Sequence, residues 1–301
     1  MIGATVVSIG TTLPEVMVSA GAALQGSGSI AYGNAIGSII CNTSLIAALT
    51  IAIKPGNAPR KSLGVPVLFF FIAAIFYCLI AYVTGRFSLV TGIILLLMFV
   101  TYMVITVLRM KNTKEETSKN DTEEELERKV GEDFTVESEN TGTKDSLLKD
   151  IILLVVGAVL IAVGADLLVD NAIIIAEKFN VSQKVIGLTI VALGTSLPEL
   201  VTAITSLAKG HGSLSLGNII GANLFNLVLV SGVAVTLNPF DVPVAGLIGG
   251  INASLVLDIP IMLIVMLILT VPTLIKEKLS RWQGILLLAI YLGFIAFQFI
   301  I

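Results

Sequence analysis

SIGTTLPEVMVSA, residues 8–20, sets a carboxylate, Glu15, directly behind a helix-breaker, Pro14, in a stretch otherwise made of apolar and small residues. Residues 192–204, ALGTSLPELVTAI, repeat the arrangement with Pro198 and Glu199. Shifted by 184, residues 2–45 align with 186–229 without a gap, and roughly 18 of the 44 positions are identical. Shared apolarity does not explain this, because polar positions recur too. GSGSIAYGNAIGSIICN (26–42) stands opposite GHGSLSLGNIIGANLFN (210–226).

Around this repeat the chain reads as membrane-embedded. Of 301 residues 55% are hydrophobic and 13% charged, and the mean hydropathy is +0.98. A soluble core cannot absorb that much apolar surface. A hydrocarbon core of about 30 Å needs roughly 20 apolar residues per helix. Runs of that length fall near 2–24, 29–53, 64–84, 88–108, 150–177, 184–208, 213–237, 246–273 and 282–301. The fold class is therefore an all-α membrane protein with nine predicted transmembrane helices. Five spans separate the first helix from its repeat, an odd number, so the two copies cross in opposite directions. Inverted repeats that meet near the midplane are the architecture of secondary transporters.

Three segments follow: residues 1–108, carrying the first copy on four helices; a polar linker, 109–149; and residues 150–301, carrying the second copy on five. The linker, RMKNTKEETSKNDTEEELERKVGEDFTVESENTGTKDSLLK, is charged and poor in apolar residues, and reads as a flexible acidic spacer. Loops on its side of the membrane hold fifteen of the 18 Lys and Arg residues, against three on the other. Basic residues favour the cytoplasm, so the linker is expected to be cytoplasmic and the C-terminus outside. No cleavable signal is recognisable. The short linker and the lack of large cytoplasmic domains point to a prokaryotic plasma (cell inner) membrane. Cys41 and Cys78 lie in apolar segments and read as small buried hydrophobes. The single histidine, His211, falls in a short loop.

The polar residues are ordered. Ser8, Thr12, Glu15 and Ser19 share one helical face, as do Asn34, Ser38 and Asn42. The second copy supplies Thr195, Ser196 and Glu199, then Asn218 and Asn226. Pro14 and Pro198 lack an N–H and clash with the carbonyl four residues back. Carbonyls around residues 8–11 and 192–195 are thereby expected to leave the helical ladder, with Gly10 and Gly194 easing the bend. Free carbonyls at membrane depth persist only where they line a cavity or bind something. Glycines four apart in GNAIG and GNIIG let helices approach closely. Two carboxylates, hydroxyls and carbonyls, with no basic residue in these four helices, make a cage for a cation. Such hard oxygen donors suit Ca2+ or Na+ better than the strict octahedron of Mg2+, and no Cys/His set for zinc or copper is present.

GTTLPE and GTSLPE, each followed by GN-x-IG-x-x-x-x-N, resemble the two α-repeats of the calcium/cation antiporter superfamily, specifically its sodium/calcium exchanger branch. The resemblance covers nearly the whole chain and implies a secondary antiporter exchanging Na+ for Ca2+ by alternating access. By resemblance, Glu15 and Glu199 are shared Ca2+ and Na+ ligands. Thr11 and Thr195 offer carbonyls or hydroxyls, and Ser8 and Ala192 their backbone. Thr12, Ser196 and Ser38 add hydroxyls, and Asn42 a side-chain amide. Asn226 stands where some members carry an aspartate, and Ala222 replaces the hydroxyl that Ser38 supplies. The family has ten helices in two inverted fives; this chain begins where the second begins, so the resemblance implies that the first is absent.

The expected partners are Ca2+, Na+ and the lipid bilayer, with no nucleic acid and no cofactor beyond the transported ions. No nucleophile–base pair or nucleotide-binding loop suggests an enzyme. A Ca2+/H+ or K+-dependent exchanger on the same scaffold is the nearer alternative, and a truncated membrane protein that does not transport the more distant one. Asp166, Asp170 and Asp258 read as structural or interfacial.

Overall fold

A computed structural model describes residues 8–120, 160, 163–164, 167–208 and 212–300. Two compact units partition the chain: Met1–Phe99 with Ile161–Ile301, and Val100–Leu160. The first unit holds both repeats.

Residues 8–11 are helical, Thr12 is a turn, and α1 runs Leu13–Leu24 with Pro14 in its first turn. Proline is at home there because the first-turn N–H groups have no intrahelical partner. α2 spans Gly28–Ile53, α3 Arg60–Thr84, and α4 begins at Leu89 and continues to Asn120, twelve residues into the segment read as linker. The rest of that segment lies outside the described residues. α5 covers residues 167–179. α6, Gln183–Thr195, and α7, Leu197–Ala208, are one apolar stretch bent by 44° at Ser196. α8 joins Gly212–Phe225 to Asn226–Val230 and Ser231–Leu237; α9 is Ser254–Lys276 and α10 Arg281–Gln298.

Among the described residues, six helices are long and apolar enough to cross a membrane, or seven if α6 and α7 form one bent span. Three of the nine expected spans are not seen whole among the described residues. The first span is broken at Thr12. Much of 150–177, Asp166 included, lies outside the described residues, as does His211. The span expected at 246–273 starts at Ser254, because Leu247–Ile248 (β3) and Ile251–Asn252 (β4) pair as a hairpin before it. Gly249 and Gly250 turn that hairpin with φ of 58° and 83°, which the left-handed positions of a two-residue hairpin turn require.

The proline breaks match. Thr12 has φ −83° and ψ −5°, Ser196 φ −83° and ψ 5°. Release from the ladder is narrower than the sequence suggests. Thr12 N–H still donates to the Ser8 carbonyl (3.0 Å) and Ser196 N–H to the Ala192 carbonyl (3.1 Å). It is the Gly10 and Gly194 carbonyls whose donors Pro14 and Pro198 remove. Wider turns add to this: π-helical segments run Asn42–Ala47, Gly187–Val191, Asn226–Val230 and Ser254–Asp258. Two of them start at Asn42 and Asn226, which are equivalent in the repeat.

Packing is close where the glycines predict it. A Cβ on Gly33 would lie 2.7 Å from the Leu188 nitrogen and the Lys184 carbonyl, and one on Gly37 2.6 Å from the Leu188 carbonyl. α2 therefore lies flush on α6. Chain connections gather in two groups. Arg86–Phe87 (β1) pairs antiparallel with Phe240–Asp241 (β2), Gln25 donates to Asp170, and Asn238 donates to the Ala23 carbonyl. In the other group Asn57 bridges Lys278, and Arg281 donates to the Ile53 carbonyl.

Candidate ion-binding site

Glu15 and Glu199 are wholly buried, each in the first turn after its proline break. The packing is reciprocal. α1, which carries Glu15, rests on the π segment that opens at Asn226, and α7, which carries Glu199, rests on the one that opens at Asn42. Each repeat thus packs its glutamate-bearing helix against the π segment that opens at the other's asparagine.

Hydroxyl groups join the two copies. Ser196 donates to Glu15 Oε1 (3.4 Å), Thr195 to Asn34 Oδ1 (2.9 Å), and Ser38 lies 3.4 Å from Thr195 Oγ1. Ser8 donates to both the carbonyl and Oδ1 of Asn218 (3.0 and 2.9 Å). Thr12 donates to the Ser8 carbonyl (2.7 Å), and Thr11 reaches the same oxygen at 3.4 Å. These hydroxyl protons point at fixed acceptors, which leaves oxygen lone pairs for a cation.

The remaining polar atoms are conspicuously unmatched. Glu15 Oε2, both Glu199 oxygens, and the side-chain oxygen and nitrogen of Asn42 and of Asn226 are buried with no hydrogen-bond partner among the described residues. A buried polar atom without a partner costs about 1–3 kcal/mol, more when charged, and seven such atoms sit on these four side chains. Four carboxylate oxygens and two amide oxygens, joined by hydroxyls, fit a hard cation. No group of three or more His, Cys, Asp or Glu side chains arranged to hold a metal ion occurs among the described residues, and Glu15 and Glu199 are the carboxylates at this site.

Every candidate ion ligand named from the sequence lies among the described residues. Ser8, Thr12, Glu15, Ser38 and Asn42 are buried, as are Ala192, Thr195, Ser196, Glu199 and Asn226; Thr11 is half-buried. The Ser8 and Ala192 carbonyls already accept a ladder N–H and a threonine hydroxyl each. Ala222 is buried and brings no hydroxyl.

Three features escaped sequence reasoning. Asn34 is a clamp: its Nδ2 donates to Ser19 Oγ (2.9 Å) and to the Glu15 carbonyl (3.2 Å) while Oδ1 accepts from Thr195. Its recurrence as Asn218 was the available signal. Asn223 donates to Thr43 Oγ1 (2.7 Å) and keeps a buried, unpartnered Oδ1; its repeat equivalent is Ile39, so the alignment hides it. Lys184, where the apolar run 184–208 begins, lies in the first turn of α6, buried against Asp258. The four helices do contain a basic residue, but its charge is already matched and the cage stays negative.

Comparison with known proteins accords with this geometry. A model of the family described as "Sodium/calcium exchanger protein" matches residues 1–108 and 149–300. An uncharacterized membrane protein of Methanocaldococcus jannaschii is 35% identical over 98% of this chain and 85% of its own length. The sodium/calcium exchanger MaX1 of Methanosarcina acetivorans is 28% identical over the full chain and 89% of its own. Among solved structures, the sodium-calcium exchanger NCX_Mj, soaked with Na+ and Sr2+, superposes with a TM-score of 0.61 at 32% identity, covering 98% of this chain and 86% of that one.

Proposed function

The chain belongs to the sodium/calcium exchanger protein family, and from that premise we propose that the glutamate pair is its transport site, loaded by Ca2+ on one stroke and by Na+ on the other. The protein is a multi-pass, all-α membrane antiporter of sodium and calcium. The observation that carries the site assignment is the pair of buried carboxylates with three unpartnered oxygens, contributed by inverted repeats and ringed by oxygen donors.

In this reading Glu15 and Glu199 are shared ligands. Thr11, Thr12, Thr195, Ser196 and Ser38 supply hydroxyl or carbonyl oxygens, Asn42 and Asn226 amide oxygens, and Ser8 and Ala192 backbone. Ca2+ neutralises both carboxylates at once, whereas Na+ must enter in numbers to do the same. The bare pair in a low-dielectric interior is costly, so the cage crosses loaded and the empty carrier does not reorient. That penalty enforces exchange: a ligand shifts the access equilibrium only through its differential affinity for the two states. The two groups of mutually contacting loops support alternation of connections across the bilayer, and the archaeal relatives support a prokaryotic cell membrane.

The test is radioactive Ca2+ uptake by proteoliposomes loaded with Na+ and diluted into Na+-free buffer. Uptake that requires the outward Na+ gradient and vanishes in Glu199→Gln supports the assignment. Unchanged uptake in that variant removes it, and uptake driven by a proton gradient but indifferent to Na+ replaces the coupling ion.

A further inference from the structure

Away from the cage, α6 begins on a buried ion pair that the exchange chemistry leaves unused. Lys184 Nζ lies 3.0 Å from Asp258 Oδ2, with the two side chains 2% and 0% exposed. Gln298 Nε2 donates to the other oxygen, Oδ1, at 2.5 Å. The first turn of α6 is thus tied to the start of α9 and to the last residue of α10.

A buried ion pair is a poor source of net stability, because desolvating both charges offsets their attraction. Ionisable residues at membrane depth are nonetheless functional by default. What such a pair fixes is position. At about 1.5 Å per residue, Lys184 lies roughly 16 Å along α6 from Thr195, too far to touch a bound ion. Between them α6 widens into the π segment Gly187–Val191 and lies flush on Gly33 and Gly37. At its far end it presents Thr195 to Asn34 and Ser38, and next to it Ser196 to Glu15. An axial slip of one residue would break all three contacts.

We propose that Lys184, Asp258 and Gln298 form a positioning anchor that sets the axial register of α6 and so holds Thr195 and Ser196 at the ion cage. The anchor rests on the reading of that cage as the transport site. Lys184→Met with Asp258→Leu removes both charges at once and so avoids an orphaned ion. The expected double variant keeps a thermal midpoint in detergent near that of wild type. Its KM for Ca2+ in Na+-driven uptake rises about tenfold or more, the size typical of lost outer-shell support, with maximal turnover much less affected. Lys184→Arg, which retains the charge, should restore a KM near wild type. A double variant that folds and keeps the wild-type KM overturns the anchor. If the double variant does not fold, Gln298→Leu decides instead: a raised KM supports the anchor and an unmoved one overturns it. Absence of Na+-driven uptake by the wild-type protein would fail the reading of the cage; wild-type uptake with an unmoved KM in the variants fails the anchor alone.

Discussion

The two repeats carry the same carboxylate, the same proline and nearly the same turn, yet they dress their glutamates differently. Glu15 accepts from Ser196, and its backbone carbonyl is held by Asn34; neither oxygen of Glu199 has a hydrogen-bond partner among the described residues. Asn34 joins three groups from both copies, while the side chain of its equivalent Asn218 accepts from Ser8. Ser38 reaches Thr195, and Ala222 offers no hydroxyl in return. Charge is symmetric in this cage and support is not. The first glutamate is held by side chains of both copies, and the second, in the function proposed above, relies on the ion to complete its coordination.

The largest test of that contrast removes the charges themselves. Glu15→Gln and Glu199→Gln should each weaken Ca2+ binding by about 2–5 kcal/mol, which abolishes measurable uptake at low micromolar Ca2+; comparable losses would confirm that charge is shared equally. Support should be unequal. Asn34→Ala is expected to raise the KM for Ca2+ about tenfold, and Asn218→Ala by clearly less, so equal effects would break the comparison. Glycine packing gives a stability version. A methyl on Gly37 would meet the Leu188 carbonyl and Ala192 Cβ at 2.6 and 2.7 Å, whereas nothing lies within 4 Å of one on Gly10. Gly37→Ala should cost about 1–3 kcal/mol by thermal unfolding in detergent, and Gly10→Ala nothing measurable. The smallest effect is expected from Ala222→Ser, which gives the second copy the hydroxyl of the first. Na+ should compete with Ca2+ better by about twofold, the worth of roughly half a kcal/mol.

Much of the cage was legible because it is local and repeated. Proline followed by glutamate, hydroxyls one turn apart and GN-x-IG each declare themselves within a few residues, and the second copy doubles the signal. Asn34 and Asn218 were visible as repeats, but their hydrogen bonds cross between helices and no local pattern encodes them. The ion pair of Lys184 and Asp258 joins residues 74 apart, and at the edge of an apolar run a lysine reads as a loop. The hairpin at 247–252 was hidden differently. Its strands are apolar enough to pass for helix, and only Gly249–Gly250 betrays the turn. The π segments have no sequence signature of their own, because one residue too many in a turn looks like any other residue.

That extra residue also leaves a mark on how this chain can change length. Asn42–Ala47 winds more loosely than an α-turn, so the stem beyond it, Ala48–Ile53, is rotated by about 100° per added residue relative to an unbroken helix. In that orientation the stem backs onto Gly284, where even a methyl group would fall 2.6 Å from the Ala48 carbonyl. Deleting one residue there would repair the helix and ruin the molecule. The repaired ladder would swing the stem off α10 and turn Asn42 and Glu199 out of phase. Insertions and deletions should therefore be purged at this point of the helix, although its hydrogen bonding would improve, and length variation should collect in the connections instead.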